Sequence, residues 1–288
     1  MSGVPASGAG VPPADELLEV AIEAATRAGA MLAERVRRGA EQEVSAKSTP
    51  TDLVSEADLA SERMIRELLA SRRPDDGFLG EEGDHTPGTS GLSWVVDPLD
   101  GTINFLFGIP QWCVSVAVRD EQGTIAGAVY DPNRGELFRA SRDTRPILSS
   151  EDGRRELGRA DGGQTAGAAG AAGSRGGGLA TAMVATGLAY DAKVRAAQAQ
   201  VLARLVPQVR DIRRFGSAAL DLTWTAAGRY DAYFERTVKP WDIAAGVLIC
   251  EQAGLSVLEL PVHEDLPWGI LVARPELAEP LLELVGGA

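Results

Sequence analysis

Cysteine and histidine are scarce in this chain of 288 residues, with two of each. Cys113 and Cys250 lie far apart in apolar runs, which excludes a disulfide framework or a Cys/His zinc site and fits reduced, buried thiols of a cytosolic protein. His85 and His263 belong to no partner pattern and are expected on the surface. No apolar run approaches the roughly 20 residues that span a bilayer. No positively charged stretch opens the chain either, its first charge being Asp15, so neither membrane insertion nor secretion is expected. Positive charge is in deficit: 28 Lys and Arg stand against 41 Asp and Glu, a net charge of −13. Such a field repels phosphate backbones and anionic lipid headgroups, which makes nucleic acid an unlikely partner and a membrane surface an unexpected one.

What is present is a globular composition, 44% hydrophobic and 24% charged. At roughly 150 residues per domain the length gives one large layered domain or two sharing a core. Residues 1–14 are mostly Gly, Ala, Ser, Pro and Val and are read as a disordered tail. Leu18, Ile22, Ala25, Leu32 and Val36 then recur at helical spacings up to Gly39. Ala57, Ala60, Met64 and Leu68 form a second stripe, with Ser55 as N-cap and Pro74 beyond its end. Two long helices are thus predicted before any strand. Short β-rich runs follow at 94–96, 113–118, 125–130 and 136–140, separated by turn residues. From 158 to 178 Gly and Ala dominate without periodicity, as in a mobile surface insertion. Beyond it come a helix over 192–206, a strand over 209–214, a helix over 218–227, a strand over 230–235 and a helix opening at Trp241-Asp242. The predicted organisation is an α+β half over 15–145, a variable insertion over 146–180 and an α/β half over 181–288.

The most informative string is Trp94-Val95-Val96-Asp97-Pro98-Leu99-Asp100-Gly101-Thr102-Ile103-Asn104-Phe105. An apolar strand delivers two acids three residues apart, which converge on one point, and a Gly-Thr step follows whose amides open a helical turn and face an anion. Pro98 fixes φ and lacks an amide donor, so Leu99 is held in the turn with its carbonyl offered as a third oxygen ligand. An isolated Asp-Pro turn is common, but the longer string is far more specific. Glu81, in Gly80-Glu81-Glu82-Gly83, and Asp242, in Trp241-Asp242-Ile243-Ala244-Ala245-Gly246, add two acids that alone would be read as a solvated loop and a first-turn helix acid. Together Glu81, Asp97, Asp100 and Asp242 supply hard oxygen ligands with no His or Cys, the donor set of magnesium or manganese rather than zinc. Carboxylates gathered this closely repel one another unless cations sit among them. Two hard cations roughly 3.5–4 Å apart clamp a phosphate, activate a water and stabilise the departing alkoxide, which is the chemistry of phosphate monoester hydrolysis.

In this order and at these separations the three strings resemble the inositol monophosphatase family, with its acidic pair, D-P-x-D-G-T-x-N-F and W-D-x-A-A-G signatures. The similarity extends through Lys47-Ser48-Thr49-Pro50-Thr51-Asp52-Leu53-Val54-Ser55-Glu56-Ala57-Asp58, through the segment from Arg213 to Asp221 and through the segment from Asp231 to Glu235. It covers about residues 15–140 and 180–258. The resemblance implies a layered α-β-α-β-α sandwich, a homodimer, and a Mg²⁺-dependent, lithium-sensitive phosphatase acting on inositol 1-phosphate or a similar small polyol phosphate. It implies that Glu81, Asp97 and the Leu99 carbonyl hold one ion, that Asp97, Asp100 and Asp242 hold a second, and that a weaker third would use Glu81, with Mn²⁺ as a substitute. The attacking water would be oriented by Glu81 and Thr102, with Asp58 accepting from the Thr102 hydroxyl. Phosphate would sit on the Gly101 and Thr102 amides. The substrate hydroxyls would meet Asp100, Gly216, Ser217, Ala218, Glu235 and Asp242. Trp241 is read as packing that fixes Asp242, and Lys47 as a loop charge. The chain departs from the family pattern between Ser141 and Gly158, where Arg142-Asp143-Thr144-Arg145-Pro146 stands, a stretch without metal ligands.

Histidinol phosphate, fructose bisphosphate and adenosine 3′,5′-bisphosphate are rival substrates, because relatives with the same metal strings act on them. Glu235 favours a neutral hydroxylated substrate over one with a second phosphate, which a rim carboxylate would repel, while the amine of histidinol phosphate would be attracted. A non-catalytic regulatory scaffold of this fold would show broken ligands, and a cation buffer would lack the Gly101-Thr102 step.

Overall fold

The computed structural model describes residues 12–39, 44–46, 53–83, 85–158 and 177–287. Residues 1–11 of the expected tail, residues 47–52 with Lys47, and 159–176 of the Gly/Ala stretch lie outside them. Helix α1 (Ala14–Arg38) opens after Pro13 and ends at Gly39, whose φ of 62° is the left-handed cap glycine tolerates. It buries Leu17, Leu18, Ala21, Ala25, Ala28 and Leu32 on one face. Helix α2 (Glu56–Arg72) begins at the expected N-cap: Ser55 and Asp58 form a reciprocal capping box. Its buried face is Ala57, Asp58, Ser61, Glu62, Ile65, Leu68 and Leu69. Ala60 and Met64, placed on the stripe from sequence, are only half-buried, because Asp58, Ser61 and Glu62 occupy the inner face instead.

A short antiparallel ribbon, β1 (Val44–Ala46) with β2 (Leu53–Ser55), lies between the two helices, so a strand pair precedes α2, contrary to the sequence expectation. The first large sheet is β3 (Gly77–Gly80), β4 (Ser93–Asp100), β5 (Cys113–Asp120), β6 (Gly123–Asp131), β7 (Glu136–Ser141), β8 (Ile147–Ser150) and β9 (Gly153–Glu156), hydrogen bonded in that order. Helix α3 (Thr102–Leu106) follows β4. β8 and β9 correct the expected insertion: residues 147–156 form an edge hairpin of this sheet. The second sheet has the order β11-β10-β12-β14-β13, built from β10 (Met183–Thr186), β11 (Asp211–Arg213), β12 (Ala232–Arg236), β13 (Ser256–Leu260) and β14 (Gly269–Ala273). Its β10, β11 and β12 are parallel, while β13 and β14 join antiparallel. Helices α4 (Ala192–Leu205), α5 (Ala218–Ala226), α6 (Pro240–Gln252) and α7 (Pro275–Val285) complete the described elements.

Alternation along the strands sorts side chains into layers. Trp94, Val96, Val114, Val116 and Val118 face α1 and α2, whereas Val95, Cys113, Ala117, Val129 and Phe138 face α5 and α6. In the second sheet Tyr233, Ile270 and Val272 meet the same α5/α6 layer, and Ala232, Phe234, Leu271 and Ala273 pack on α4 and α7. The result is the expected α-β-α-β-α sandwich. Helix α6 lies so close to the first sheet that a Cβ at Gly127 would fall 2.9 Å from the Cα of Ala245, so β6 needs glycine there. Both cysteines are buried and free, both histidines are exposed, and no described helix is long and apolar enough to cross a membrane.

Candidate active site

The site gathers where strand ends and helix starts of both sheets meet. β3 runs parallel to β4 and their pairing ends with Gly80 opposite Val96, so the next residues, Glu81 just past β3 and Asp97 within β4, follow adjacent positions. Against β5 the register moves from Asp97 opposite Ser115 to Asp100 opposite Cys113, three steps matched by two. This bulge at Pro98 bends the strand and re-aims the second acid. Gly101, at φ 100°, turns the chain into α3, and a Cβ there would fall 2.9 Å from the Gln111 carbonyl, so the turn requires glycine.

One cavity of about 380 Å³ is lined by Glu81, Asp97, Leu99, Asp100, Gly101, Thr102, Gly216, Ala218, Glu235 and Asp242 among others. These are ten of the twelve residues singled out from the sequence. Asp58 and Ser217 sit just behind its wall. The Thr102 hydroxyl stands 2.7 Å from the Asp58 carboxylate and 3.1 Å from the Leu99 carbonyl. Asp58 therefore serves both as a helix cap and as an acceptor for Thr102. The Ser217 hydroxyl, the N-cap of α5, donates to Asp100 at 2.7 Å, and the Ala219 amide donates to the same oxygen at 2.7 Å. Asp100 thereby joins the first sheet to the first turn of a helix from the second half. Asn104 makes a parallel link, its amide donating to the carbonyls of Gln111 and Phe215 at 2.7 Å each.

Sequence reasoning placed Asp58 behind Thr102 but missed Ser61 and Glu62, which complete the support beneath these groups. On α2, Asp58, Ser61 and Glu62 share a face at i, i+3 and i+4. Asp58 takes Thr102, the Ser61 hydroxyl donates to the Pro98 carbonyl at 2.7 Å, and Glu62 accepts from the Glu82 amide at 2.8 Å. One helix face thus fixes the turn after β4, the start of α3 and the loop that carries Glu81. The only sequence signal is three polar residues interrupting an apolar stripe. Leu188, Tyr190, Arg214, Thr237 and Lys239 also line the cavity. The first two follow β10, a four-residue strand with no sequence signal against the Gly/Ala stretch before it. Trp241 both packs on the core and lines the cavity, more than the packing role expected of it.

The electrostatics are those of crowded acids. Burial pushes Asp97 well above the usual carboxylate range, and the charges of Glu81, Asp100 and Asp242 add to the rise. Burial also raises Asp100, to about 6, against the lowering effect of its bonds from Ser217 and Ala219. Asp242 is pushed up by burial and by Asp100, Glu81 and Glu235, while the Lys239 amide, donating at 2.6 Å, pulls it down. Glu235 rises to about 7 through burial, opposed by the Tyr233 hydroxyl at 2.9 Å and the charge of Arg214. Among the described residues no three His, Cys, Asp or Glu side chains converge tightly enough to hold a metal ion as they stand. The reason is visible in the hydrogen bonds: Asp97 faces the Leu99 amide, Asp100 the start of α5, and Asp242 the Lys239 amide. The donor set nonetheless fits a hard divalent cation, since every side-chain donor is a carboxylate and their mutual repulsion is what bound cations relieve.

A sequence profile of the inositol monophosphatase family matches residues 14–285, running on through β13, β14 and α7 past the segments where the resemblance was read. The inositol-1-monophosphatase SuhB of Mycobacterium tuberculosis is 42% identical over 245 residues, covering 83% of this chain and 80% of that protein. A Pasteurella multocida protein named Nus factor SuhB is 37% identical over 273 residues, covering 93% of this chain and 95% of its own. The crystal structure of the extragenic suppressor protein suhB from Bartonella henselae superposes with a TM-score of 0.79 at 31% identity, over 94% of this chain and 98% of that one. With nearly the whole chain matched in sequence and in fold, the protein belongs to the inositol monophosphatase family.

Proposed function

We propose that this protein is a magnesium-dependent phosphate monoester hydrolase acting, as a homodimer, on inositol 1-phosphate or a similar small polyol phosphate. The observation that carries the reading is the single cavity in which Glu81, Asp97, Asp100 and Asp242 face the Gly101-Thr102 turn. Glu81, Asp97 and the Leu99 carbonyl would hold one magnesium, and Asp97, Asp100 and Asp242 a second; Glu81 would serve a third, and manganese offers the same oxygen preference. Magnesium bound there supplies positive charge to the phosphate and to the departing alkoxide and raises the acidity of the attacking water.

The chain's own groups do the positioning. Because the Thr102 hydroxyl spends its single proton on Asp58 or Leu99, its oxygen lone pairs are left to accept from water. Glu81 accepts the water's other proton, so the two residues aim one lone pair of that water at phosphorus. The amides of Gly101 and Thr102 donate to the phosphate oxygens. Asp100, Gly216, Ser217, Ala218, Glu235 and Asp242 surround the polyol, Ser217 acting through Asp100 rather than by facing the cavity.

The test is phosphate release from inositol 1-phosphate, histidinol phosphate and adenosine 3′,5′-bisphosphate, each with magnesium and with chelator. Chelator-sensitive turnover that Asp97→Asn abolishes and that millimolar lithium inhibits supports the reading. A near wild-type rate for Asp97→Asn at modest magnesium overturns the site. The second reading is a regulatory, non-catalytic role, favoured by the Nus factor name carried by the Pasteurella multocida relative. A folded protein that binds magnesium yet releases phosphate from none of these substrates would favour it.

A further inference from the structure

Phe78 and Thr86 exchange backbone hydrogen bonds at 2.8 and 2.9 Å, which closes at its base the loop that carries Glu81. Two side chains of α2, one turn apart, sit inside this loop. Glu62, 6% exposed at its side chain, divides its carboxylate: Oε2 accepts from the Glu82 amide at 2.8 Å and Oε1 from the Arg66 guanidinium at 3.1 Å. Arg66 in turn lies over the Phe78 ring, 3.9 Å from its centroid, and donates to the Thr86 hydroxyl at 3.1 Å. The glycines that bracket Glu81 and Glu82 make room for the pair. A Cβ at Gly80 would overlap the Glu62 carboxylate, and one at Gly83 would overlap it too and stand 2.7 Å from Arg66 Nη2. Glu81 lines the cavity, whereas Glu62 and Arg66 do not.

We propose that Glu62, braced by Arg66, is a positioning residue for Glu81: it holds the loop in shape in the metal-free protein, so that the magnesium affinity of the site depends on a side chain outside the cavity. The proposal rests on the phosphatase reading for the role of Glu81 and adds the group that places it. A loop ordered in advance spares ion binding the entropy of ordering it. Groups that fix a ligating carboxylate from behind govern metal affinity in the same way. The bonding pattern also makes the carboxylate hard to replace by its own amide. Gln offers one acceptor and one donor, yet the Glu82 amide and the Arg66 guanidinium both donate to this position. One of the two would then face another donor.

Magnesium binding is measured by calorimetric titration of the metal-free full chain, beside hydrogen exchange of the loop amides in chelator and phosphate release from inositol 1-phosphate. Glu62→Gln is expected to weaken magnesium binding about 10- to 100-fold, to speed exchange at the Glu82 amide, and to lower kcat more than it raises KM. Gly83→Ala, at an exposed position whose φ is not left-handed, is expected to do the same by pushing the Glu62 carboxylate aside. Glu62→Gln/Arg66→Met removes the conflicting donor and is expected to regain part of the lost affinity, whereas a merely structural pair would bind more weakly still after two changes. Wild-type magnesium affinity in both Glu62→Gln and Gly83→Ala overturns the proposal, as does a double variant that binds more weakly than Glu62→Gln. A wild type that binds magnesium but releases no phosphate overturns the phosphatase reading alone, and the affinities still decide the role of Glu62. A wild type that binds no magnesium sinks both.

Discussion

Replacing Asp97 by Asn should stabilise the metal-free protein and destabilise the magnesium-loaded one relative to wild type. Asp97 is 2% exposed, and its ionised form is disfavoured by burial and by three neighbouring acids. Asp100, beside it, sets the scale: its carboxyl rises from 3.8 to about 6, roughly two units at about 1.4 kcal/mol each, or about 3 kcal/mol. A carboxyl with a raised folded pKa gives stability that is complete below its unfolded value and lost as pH climbs through the folded one. For Asp100 that loss runs from about pH 4 to about pH 6, and for Asp97 it extends further upward. At pH 8 the metal-free wild type therefore carries the cost of ionised Asp100, and Asp97→Asn removes what Asp97 adds to it together with the repulsion Asp97 exerts on its neighbours. The amide keeps an acceptor for the Leu99 amide, now 3.0 Å from Asp97. For a chain of this length each kcal/mol relieved raises Tm by about 2 °C, so the variant is expected to melt measurably higher than wild type in chelator. Saturating magnesium should reverse the order, since wild type gains about 2.7 kcal/mol at a hundred times its Kd while the variant gains little. Thermal melts of both proteins at pH 8, in chelator and in magnesium, decide the matter. A variant less stable than wild type in chelator, or a wild type indifferent to magnesium, refutes the reasoning.

Thr102→Val should lower kcat by about 10²–10³-fold with little change in KM, and Thr102→Ser should restore most of it; equal rates for Val and Thr would show that the hydroxyl does not orient the water. Glu235→Gln should shift the ratio of kcat/KM between inositol 1-phosphate and histidinol phosphate toward the former, because the carboxylate that attracts an amine is gone; an unchanged ratio removes Glu235 from the substrate contacts. Gly127→Val should cost about 1–3 kcal/mol by pushing β6 against Ala245, visible as a lower denaturation midpoint in urea, whereas Gly123→Ala at the solvent end of the strand tests only backbone strain and should cost less.

The acidic strings were legible because each residue performs a local task as well as a distant one: Asp97 opens the bulge at Pro98, Asp100 ends the strand, Asp242 lies in the first turn of a helix. The α-β-α-β-α layering came from the family resemblance those strings support, since strand order is a long-range property. The inner face of α2 was misread by periodicity because it buries Asp58, Ser61 and Glu62 for the sake of the site, against the hydrophobic pattern. Val36 shows the opposite error: the stripe of α1 continues to it, yet it is 49% exposed, because the helix runs on beyond the sheet it covers. The ribbon β1–β2, the edge hairpin β8–β9 and the four-residue strands β3 and β10 escaped notice because runs this short carry too few side chains to show alternation. Arg214, though within a string quoted for the resemblance, could be placed at the cavity only by the packing of two sheets.

The bond from Asp100 to the first turn of α5 has a consequence for how the molecule can be divided. Every strand of the first large sheet lies before residue 159, and every strand of the second lies after 176. A cut between those positions would separate Glu81, Asp97, Asp100 and Thr102 from Asp242, Glu235 and the serine that caps α5. It would also strip α5 and α6 from the sheet face of Val95, Ala117 and Phe138. Neither fragment would contain a site, yet each would present the buried surface the other needs. The chain is therefore a natural candidate for fragment complementation, with turnover reporting reassociation and a charge change at Asp100 expected to weaken the pairing and the reaction together.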